Sequence, residues 1–460
     1  MDILDVYLLD AVLVFKERVM IMLVCKFGGS SLSSESQFKK VKNIIKSDDQ
    51  RRVIVVSALG KGSLTDNKLT DLLYVIYTHA KHGICYESLW REVAERFIQV
   101  KKELGLTFDI ESALETIKAS LATHALSVDD LVSRGEFLTA QLMSDYLGYA
   151  FVDAKEVIIF FANGDIDLAT SRQKLLNAIG NRQVVIPGFY GAYPNGKIKL
   201  FGRGGSDITG AIVAAALKAE RYENFTDVSG VLVADPRIIH QPPAISGLTY
   251  EELSELTYMG ANVLHEESAR PVQDAGIPIH IKNTNAPHDP GTIICDETGP
   301  SATEKKMIGI SGKKHYVSFT IYKKHMSTEM GFLKKALAIF SRYHVNVEHV
   351  PTGIDHLGVV VVAESVSHCM EDLLDVLRRE LKADYIEVND NVALITVVGR
   401  NIVDDPTFLG MMFTTLGQAD INISFIAQSP RKLNIIIGVR NEAYVDATIA
   451  LYHALLTSDN

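Results

Sequence analysis

The feature that most constrains the fold is a strand, a glycine turn, a helix and a second strand close to the start of the chain. The two strand segments, IMLVCKF (residues 21–27) and RRVIVVSAL (residues 51–59), are largely apolar, and Phe38, Val41 and Ile44 recur at helical spacing between them. Strands that are apolar on both faces belong in parallel sheets covered by helices. The segment therefore predicts an α/β layered fold with a buried sheet.

The whole chain divides into regions with different patterns. Up to about residue 300, predicted strands alternate with helical stretches; the strands are 151–160, 183–191, 276–284 and 291–295, and the helical stretches are 68–148 and 207–220. After a polar linker, the order strand–helix–strand–strand–helix occurs twice, which indicates a duplicated ferredoxin-like module. We therefore predict an N-terminal extension of unknown role (1–20), a catalytic α/β domain (21–300) and two modules (307–385 and 386–460), with strand 307–313 available to pair with the second module.

Charge and cysteine usage limit the partners of the chain. The formal net charge is −10 and no long basic run is present, which argues against nucleic acid and anionic membrane as partners. No segment reads as a membrane span or a signal peptide. The four cysteines have no CxxC spacing, so we expect reduced thiols in a cytoplasmic protein and no protein metal site.

The first candidate site is the segment KFGGSS, which follows the first strand. A tight glycine turn at the start of a helix brings backbone N–H groups together, and the helix N-terminus adds positive partial charge. Lys26 adds a full charge beside Gly28, Gly29 and Ser30. The motif predicts a phosphate site, although a plain strand-to-helix turn with a surface lysine explains it equally well.

A second candidate site, FGRGGSD (residues 201–207), directly precedes a predicted helix. Its glycines allow a ligand to approach the backbone closely, and Arg203 can hold a carboxylate or phosphate through two hydrogen bonds. Asp207 could orient Lys26, or it could only cap the helix. A cap does not account for an arginine between glycines, so the pattern favours a binding loop.

Taken together, the motifs resemble those of aspartate kinases. KFGGSS, SRGE (133–136), FGRGGSD, TDVSG…ADPR (226–237), GANVLH (260–265) and PIHIKNT (278–284) occur in the order of that family, although SRGE and the 226–237 segment are weak signals alone. The resemblance runs from about residue 21 to the C-terminus, and a chain of 460 residues implies a monofunctional form. The implied fold is a three-layer α/β/α amino-acid kinase domain followed by two ferredoxin-like (βαββαβ) ACT modules.

The resemblance implies transfer of the γ-phosphoryl group of MgATP to the β-carboxylate of L-aspartate, the first step of the lysine, threonine and methionine pathway. A carboxylate is already an adequate nucleophile, so positioning and charge neutralisation carry this chemistry. We expect Mg²⁺ on the phosphate oxygens rather than in a protein metal site. Two alternatives stay open: a kinase for another acidic metabolite, and a catalytically inactive amino-acid sensor.

By the same resemblance, individual residues receive roles. The expected catalytic residues are Lys26, Arg203 and Asp207. The expected aspartate-binding residues are Ser57, Thr70, Glu136, Arg203, Gly204, Gly205 and Ser206. The expected ATP-binding residues are Lys26, Gly28, Gly29, Ser30, Thr226, Asp227, Leu232, Arg237, Asn262 and Val263. The family often has Tyr in place of Leu232 and Lys in place of Asn262, so we expect an active enzyme with weakened nucleotide binding.

The ACT resemblance implies an amino-acid effector. The matching residues are Met326, Glu329, Phe332, Leu333, Val347 and Glu348. Glu348 could pair an effector ammonium group, and its pattern resembles lysine-sensitive members, so L-lysine is the expected inhibitor and L-threonine the alternative. A module that serves only as a dimer surface is the other interpretation. Pairing of edge strands between modules would give a homodimer or a dimer of dimers.

Overall fold

The structure is a computed structural model that describes residues 22–62, 67–202, 204–260, 264, 266–296 and 306–457. The chain forms two compact units whose segments alternate along the sequence. The first unit runs to Val231 and includes Ser246–Tyr250 and Leu264–Ser301. The second unit contains Leu232–Ile245, Glu251–Val263 and the chain from Ala302 onward.

The first unit contains ten described strands and most of the helices. The strands are β1 (Leu23–Phe27), β2 (Arg51–Val56), β3 (Ala150–Phe151), β4 (Val184–Pro187), β5 (Tyr190–Ala192), β6 (Ile198–Leu200), β7 (Arg221–Thr226), β8 (Gly247–Thr249), β9 (Ile279–Asn283) and β10 (Thr292–Cys295). The helices are α1 (Glu35–Lys46), α2 (Leu69–Lys81), α3 (Glu87–Leu104), α4 (Ile110–Ala122), α5 (Val128–Val132), α6 (Arg134–Leu147), α7 (Ala154–Val157), α8 (Leu168–Ile179), α9 (Gly205–Leu217), α10 (Tyr250–Tyr258), which continues into the second unit, and α11 (Glu266–Asp274).

Within the described residues, eight strands form one sheet in the order β3-β4-β2-β1-β7-β9-β10-β8. The first six strands in that order run parallel, whereas β10 is antiparallel to β9 and parallel to β8. On one face, Phe38 and Val41 of α1 pack in one core with Cys25 of β1. On the other, α9 contacts β1 and buries nearly its whole surface. The predicted three-layer α/β/α fold is confirmed.

One predicted strand is wrong. The sequence predicts a continuous strand over 151–160, but the structure has only β3 there, followed by the single-turn helix α7. Asp153 explains the difference, because its carboxylate accepts a hydrogen bond from the backbone N–H of Lys155 (3.1 Å) and caps that turn. Farther on, Ile159 and Phe160 form only isolated bridges.

The second unit is built on an antiparallel sheet. Its strands are β11 (Met307–Tyr322), β12 (Val347–His349), β13 (His356–Val362), β14 (Tyr385–Gly399), β15 (Phe425–Gln428) and β16 (Asn434–Val439). Its further helices are α12 (Phe332–Arg342), α13 (Ala363–Val366), α14 (Met370–Leu381), α15 (Pro406–Gln418) and α16 (Tyr444–Thr457). The described strands have the order β12-β13-β11-β14-β16-β15. None of the helices that the structure describes, in either unit, is long and apolar enough to span a membrane.

The two long strands β11 and β14 join the two modules into one sheet. β11 pairs with β14 from Met307 opposite Gly399 to Tyr322 opposite Tyr385. The second half of β11, from Tyr316, also pairs with β13 of the first module. The first half lies beside the part of β14 that pairs with β16, and so completes the second module. The ferredoxin-like fold predicted from the repeat is confirmed.

Helix α10 is attached to this sheet by acidic side chains within the second unit. Glu252 accepts two hydrogen bonds from the Arg400 guanidinium (2.7 and 3.0 Å), and Glu251 lies 2.5 Å from Arg431. At the end of α10, Met259 packs against an apolar cluster on the sheet. A stretch that lies before residue 300 therefore contributes to the core of the second unit.

Candidate active site

The end of β1 carries a lysine that is paired with the first acidic residue of α9. Lys26 Nζ lies 2.5 Å from Asp207 Oδ1, and the two side chains are 8% and 19% exposed. Asn224 of β7 donates a hydrogen bond to the same Asp207 oxygen (2.8 Å). Since α9 begins after Gly204 without a side-chain cap, Asp207 holds the lysine rather than the helix end.

Lys26 reaches the glycine turn that follows β1. A Cβ atom on Gly28 would lie 3.4 Å from Lys26 Nζ, so the ammonium group sits beside the turn. The backbone forms a 3₁₀ turn over Gly29–Leu32, and the Gly28 N–H donates to Phe225 O on β7 (3.1 Å). The turn combines backbone N–H groups at a helical N-terminus with a full positive charge, which suits an anion.

A second glycine turn, after β2, packs against the first. A Cβ atom on Gly60 would lie 2.1 Å from Gly29 O, so the close approach of the two backbones requires glycine at position 60. The sequence analysis missed Gly60. The available signal was a glycine soon after a buried strand, because the carboxyl ends of neighbouring parallel strands meet at the edge where α/β proteins bind ligands.

A cavity of about 700 Å³ opens next to these turns in the first unit. Six residues that the sequence predicted line it: Gly29, Ser30, Ser57, Thr70, Glu136 and Asp227. The lining also includes Gly60, Lys61 and Lys68, which the sequence analysis did not single out. The wall thus carries two lysines and two acidic side chains, Glu136 and Asp227, with Lys26 close by, so both cationic and anionic groups of a ligand can find a partner.

Glu136, in the first turn of α6, is a buried carboxylate in the wall of this cavity. The residue is 3% exposed, and its Oε2 atom has no hydrogen-bond partner among the described residues. Burial raises the pKa of Glu136 to about 8, against smaller opposing effects of hydrogen bonds from its own backbone and from that of Ala58. A buried acid with a free oxygen at a cavity is suited to a cationic group of a ligand.

The loop FGRGGSD is partly described. Gly204, Gly205 and Ser206 lead into α9, and a Cβ atom on Gly205 would lie 2.4 Å from the Phe189 ring. The loop and the start of α9 are therefore packed too closely for a larger residue at position 205. These three residues do not line the cavity described above. Arg203 lies outside the described residues, so its predicted contact with the substrate stays a prediction.

The predicted ATP contacts are divided between the two units. In the first unit, Thr226 ends β7 and its hydroxyl donates to Asp227 Oδ1 (3.1 Å). Leu232 and Arg237 belong to the second unit, where the Arg237 guanidinium pairs with Asp235 at 2.6 Å. Asn262 and Val263 lie outside the described residues. The structure thus brings six of the predicted phosphate and aspartate contacts into one cavity wall, while the roles of all the predicted contacts stay predictions.

The six effector candidates lie in the first module of the second unit. Three contribute to or pack against its apolar core: Met326, Phe332 and Val347. Leu333 is 43% exposed. The two acidic candidates already have partners, since Glu329 pairs with two lysines and Glu348 accepts a hydrogen bond from the hydroxyl of Tyr258 in α10.

Comparison with known proteins agrees with this architecture. Residues 22–283 match the amino acid kinase family, and residues 395–455 match the ACT domain. The chain is 34% identical to aspartokinase 3 of Bacillus subtilis over 449 residues, which cover 94% of this chain and 98% of that protein. It is 27% identical to the lysine-sensitive aspartokinase 3 of Escherichia coli over 406 residues, or 83% of this chain and 88% of that protein. The crystal structure of Clostridium acetobutylicum aspartate kinase matches with a TM-score of 0.86 and 40% identity, covering 95% of this chain and all of that one.

The fold and the paired glycine turns define an amino acid kinase with a C-terminal regulatory ACT unit. Similarity over nearly the whole chain narrows this assignment, and the chain belongs to the aspartokinases. It is an aspartate kinase, which phosphorylates aspartate. The resemblance drawn from the sequence motifs is confirmed, and the two alternatives left open there are set aside.

Gly60→Ala should disable the site. The added Cβ atom would force the two glycine turns apart, and a displacement of about 1 Å in a positioning element can lower the rate by about 100-fold. We expect a loss of that order in kcat/KM for ATP, measured by steady-state kinetics. Gly410→Ala in α15 is the control, because a Cβ atom there meets nothing within 4 Å. Similar kinetics for both variants would show that the turns do not need their close contact.

The burial of Glu136 predicts pH-dependent stability of the unliganded protein. Its pKa is about 8 in the folded state and 4.5 in the unfolded reference, so between these values the folded state binds more protons. The free energy of unfolding therefore falls as the pH rises from about 5 to 8, by about 1.4 kcal/mol for each pH unit. Thermal unfolding of Glu136→Gln across this range should show a smaller fall, whereas curves parallel to wild type would contradict the prediction.

Proposed function

We propose that this aspartate kinase transfers the γ-phosphoryl group of MgATP to the β-carboxylate of L-aspartate in the cavity beyond β1 and β2, giving 4-phospho-L-aspartate and ADP. The observation that carries the proposal is that one cavity is lined both by the glycine turns and by Glu136. The turns offer a place for phosphate, and the unpartnered carboxylate offers a place for an amino group. We assign the reaction to the cytoplasm, as the first step of the lysine, threonine and methionine pathway.

At the phosphate end of the cavity, Lys26 stabilises the transferring group together with the backbone N–H groups of Gly28, Gly29 and Ser30. Both reactants are anions, so fixed positive charge lowers the barrier to their approach. Asp207 keeps the Lys26 ammonium group in place through their 2.5 Å contact. Because the lysine is already oriented before the substrates bind, no ordering of a flexible side chain is needed during the reaction.

At the aspartate end, Glu136 pairs with the α-ammonium group of the substrate, while Ser57 and Thr70 offer hydroxyl groups in the same cavity. Arg203 is the proposed partner of the α-carboxylate, since its guanidinium can form two parallel hydrogen bonds with it. An ammonium group beside Glu136 favours the ionised carboxylate and offsets its burial. A dicarboxylic acid that lacks the amino group would leave Glu136 unpaired, so this residue selects for amino acids.

The nucleotide is proposed to bind as its Mg²⁺ complex. Mg²⁺ prefers oxygen ligands and is usually held by one or two carboxylates together with substrate phosphates and water. Asp227 in the cavity wall is a carboxylate of that kind, so the residues present fit the complex. Bound there, the ion would neutralise phosphate charge. The other proposed nucleotide contacts are Thr226, Leu232, Arg237, Asn262 and Val263.

The ACT unit is proposed to bind L-lysine as an inhibitor, with L-threonine as the alternative. The Escherichia coli relative is named as lysine-sensitive, which supports this choice. The carboxylates of Glu329 and Glu348 at the effector position could each accept an ammonium group. At Glu348 an effector would compete with the Tyr258 hydroxyl, so its binding would act on α10. Edge-strand pairing between modules would give a homodimer or a dimer of dimers.

Lys26→Ala tests the phosphoryl-transfer step. Loss of a group that stabilises transition-state charge costs about 10²–10³ in kcat, and we expect a fall of that size in an assay that traps the acyl phosphate formed from ATP and aspartate. Lys39→Ala is the matched control, because that lysine is exposed and pairs with Glu35 on the surface of α1. Unchanged turnover in Lys26→Ala would reject the proposal.

Glu136→Gln tests the aspartate end of the cavity. This variant should raise the KM for aspartate by about ten-fold or more, as expected for a lost charged hydrogen bond.

Glu348→Gln tests the effector site. Removal of the charge should raise the lysine concentration for half-maximal inhibition by about ten-fold, because a charged hydrogen bond contributes about 1.5–3 kcal/mol. Inhibition curves with lysine and, separately, with threonine identify the effector. Glu364→Gln, at an exposed position in α13, is the control and should keep the wild-type curve. Identical lysine inhibition in Glu348→Gln and wild type would place the effector elsewhere.

A further inference from the structure

The first unit has a second cavity that the reaction does not use. Its volume is about 420 Å³, and it lies between α1, the strands β7 and β9, and the loop after β9. The lining residues are Lys40, Asn43, Ile44, Ser47, Arg51, Phe225, Lys282, Thr284, Asn285, Pro287 and His288. Three of them are lysine or arginine, and none is acidic, although the whole chain has a formal charge of −10.

One carboxylate, Glu223, pairs with the arginines beside this cavity. Asp48 and Asp289 also act on the nearby cations, but neither carboxylate forms a hydrogen bond or an ion pair with their side chains among the described residues. Glu223 accepts hydrogen bonds from Arg51 Nε (2.7 Å) and Nη2 (3.3 Å), and also from Cys25 Sγ (3.4 Å). Arg221 on the same strand reaches the same carboxylate at 3.7 Å. Glu223 is therefore shared between two arginines and forms no ion pair with a third cation among the described residues.

Lys282 is the third cation, beside Arg51 and Arg221. Its position on β9 is opposite Phe225, in the wall of the cavity. Its ammonium group has no hydrogen-bond or ion-pair partner among the described residues. Partial burial, with Arg51 and Arg221 close by, lowers the pKa of Lys282 against the opposing effects of Glu223 and Asp289. A partly buried ammonium group without a partner is costly unless an anion joins it.

The remaining polar groups of the cavity are also suited to an anion. Lys40 Nζ donates to an amide oxygen, Asn285 Oδ1 (2.7 Å), and forms no ion pair among the described residues. Asn43, Thr284 and His288 add side chains that can donate hydrogen bonds. We propose that this cavity binds a phosphate oxyanion, either free orthophosphate or the phosphate group of a small metabolite. Lysine and arginine around a concave site with neutral donors form the chemistry that recognises such groups.

The experiment has to separate this cavity from the active site, because Thr284 Oγ1 in its wall lies 2.7 Å from the Ser31 hydroxyl of the glycine turn. Isothermal titration of orthophosphate into the full-length protein, saturated with a non-hydrolysable ATP analogue and aspartate, keeps the active site occupied, including the position of the γ-phosphate. A parallel titration of the Lys26→Ala protein gives a result that does not depend on the proposed catalytic role of Lys26. We expect saturable phosphate binding in both proteins.

Lys282→Gln and Lys40→Gln should each weaken phosphate binding by about ten-fold or more, because each removes a charged hydrogen bond. Lys174→Gln on α8 is the control, since that lysine is exposed and does not line the cavity, and it should bind phosphate as wild type does. Circular dichroism confirms that each variant is folded. A parallel titration with glycerol phosphate identifies the source: tighter binding than orthophosphate supports a metabolite, and weaker binding supports the free ion. Absence of saturable binding in wild type, or wild-type affinity in both Lys282→Gln and Lys40→Gln, would overturn the proposal.

Discussion

The ion pair between Lys26 and Asp207 is the interaction on which the active site depends. Both side chains are largely withdrawn from solvent, and removing two charges from water is expensive unless they are well paired and hydrogen-bonded. Here Asn224 supplies the additional hydrogen bond to Asp207. Because Lys26 ends a central strand and Asp207 lies in the first turn of α9, the pair also fixes this helix to the sheet. The same contact therefore sets the position of the charge and the shape of the sheet edge where the glycine turns meet.

The sequence predicted those parts of the structure that depend on short segments. Strands with apolar residues on both faces determine a layered sheet, and Gly28 follows from a local motif together with the convergence of parallel strands at one edge. Glu136 was singled out only through the resemblance to aspartate kinases, because its own motif is weak. Gly60 was missed because its contact with Gly29 depends on how β1 and β2 align. The predicted strand over 151–160 was wrong because an apolar pattern does not reveal the cap at Asp153. No spacing rule connects Glu252 with Arg400, so the attachment of α10 could not be predicted.

Helix α10 has residues in both the first and the second unit. Its first residue, Tyr250, belongs to the first unit, where its hydroxyl donates to Ile277 O (2.6 Å). The residues that follow belong to the second unit, in which Glu252 is buried against Arg400. One continuous helix therefore contributes residues to both units.

The course of β11 makes the two ACT modules inseparable. Residues 307–313 come at the start of the first module along the chain, yet they form the outer strand that completes the second. A protein that ends at residue 385 would lack β14, so the first half of β11 would have no strand to pair with. A protein that lacks residues 306–385 would expose the edge of β14 that β11 covers. Such edges invite association with other chains. A fragment that contains both modules should therefore begin ahead of Met307, so that β14 keeps its neighbouring strand and no new edge is exposed.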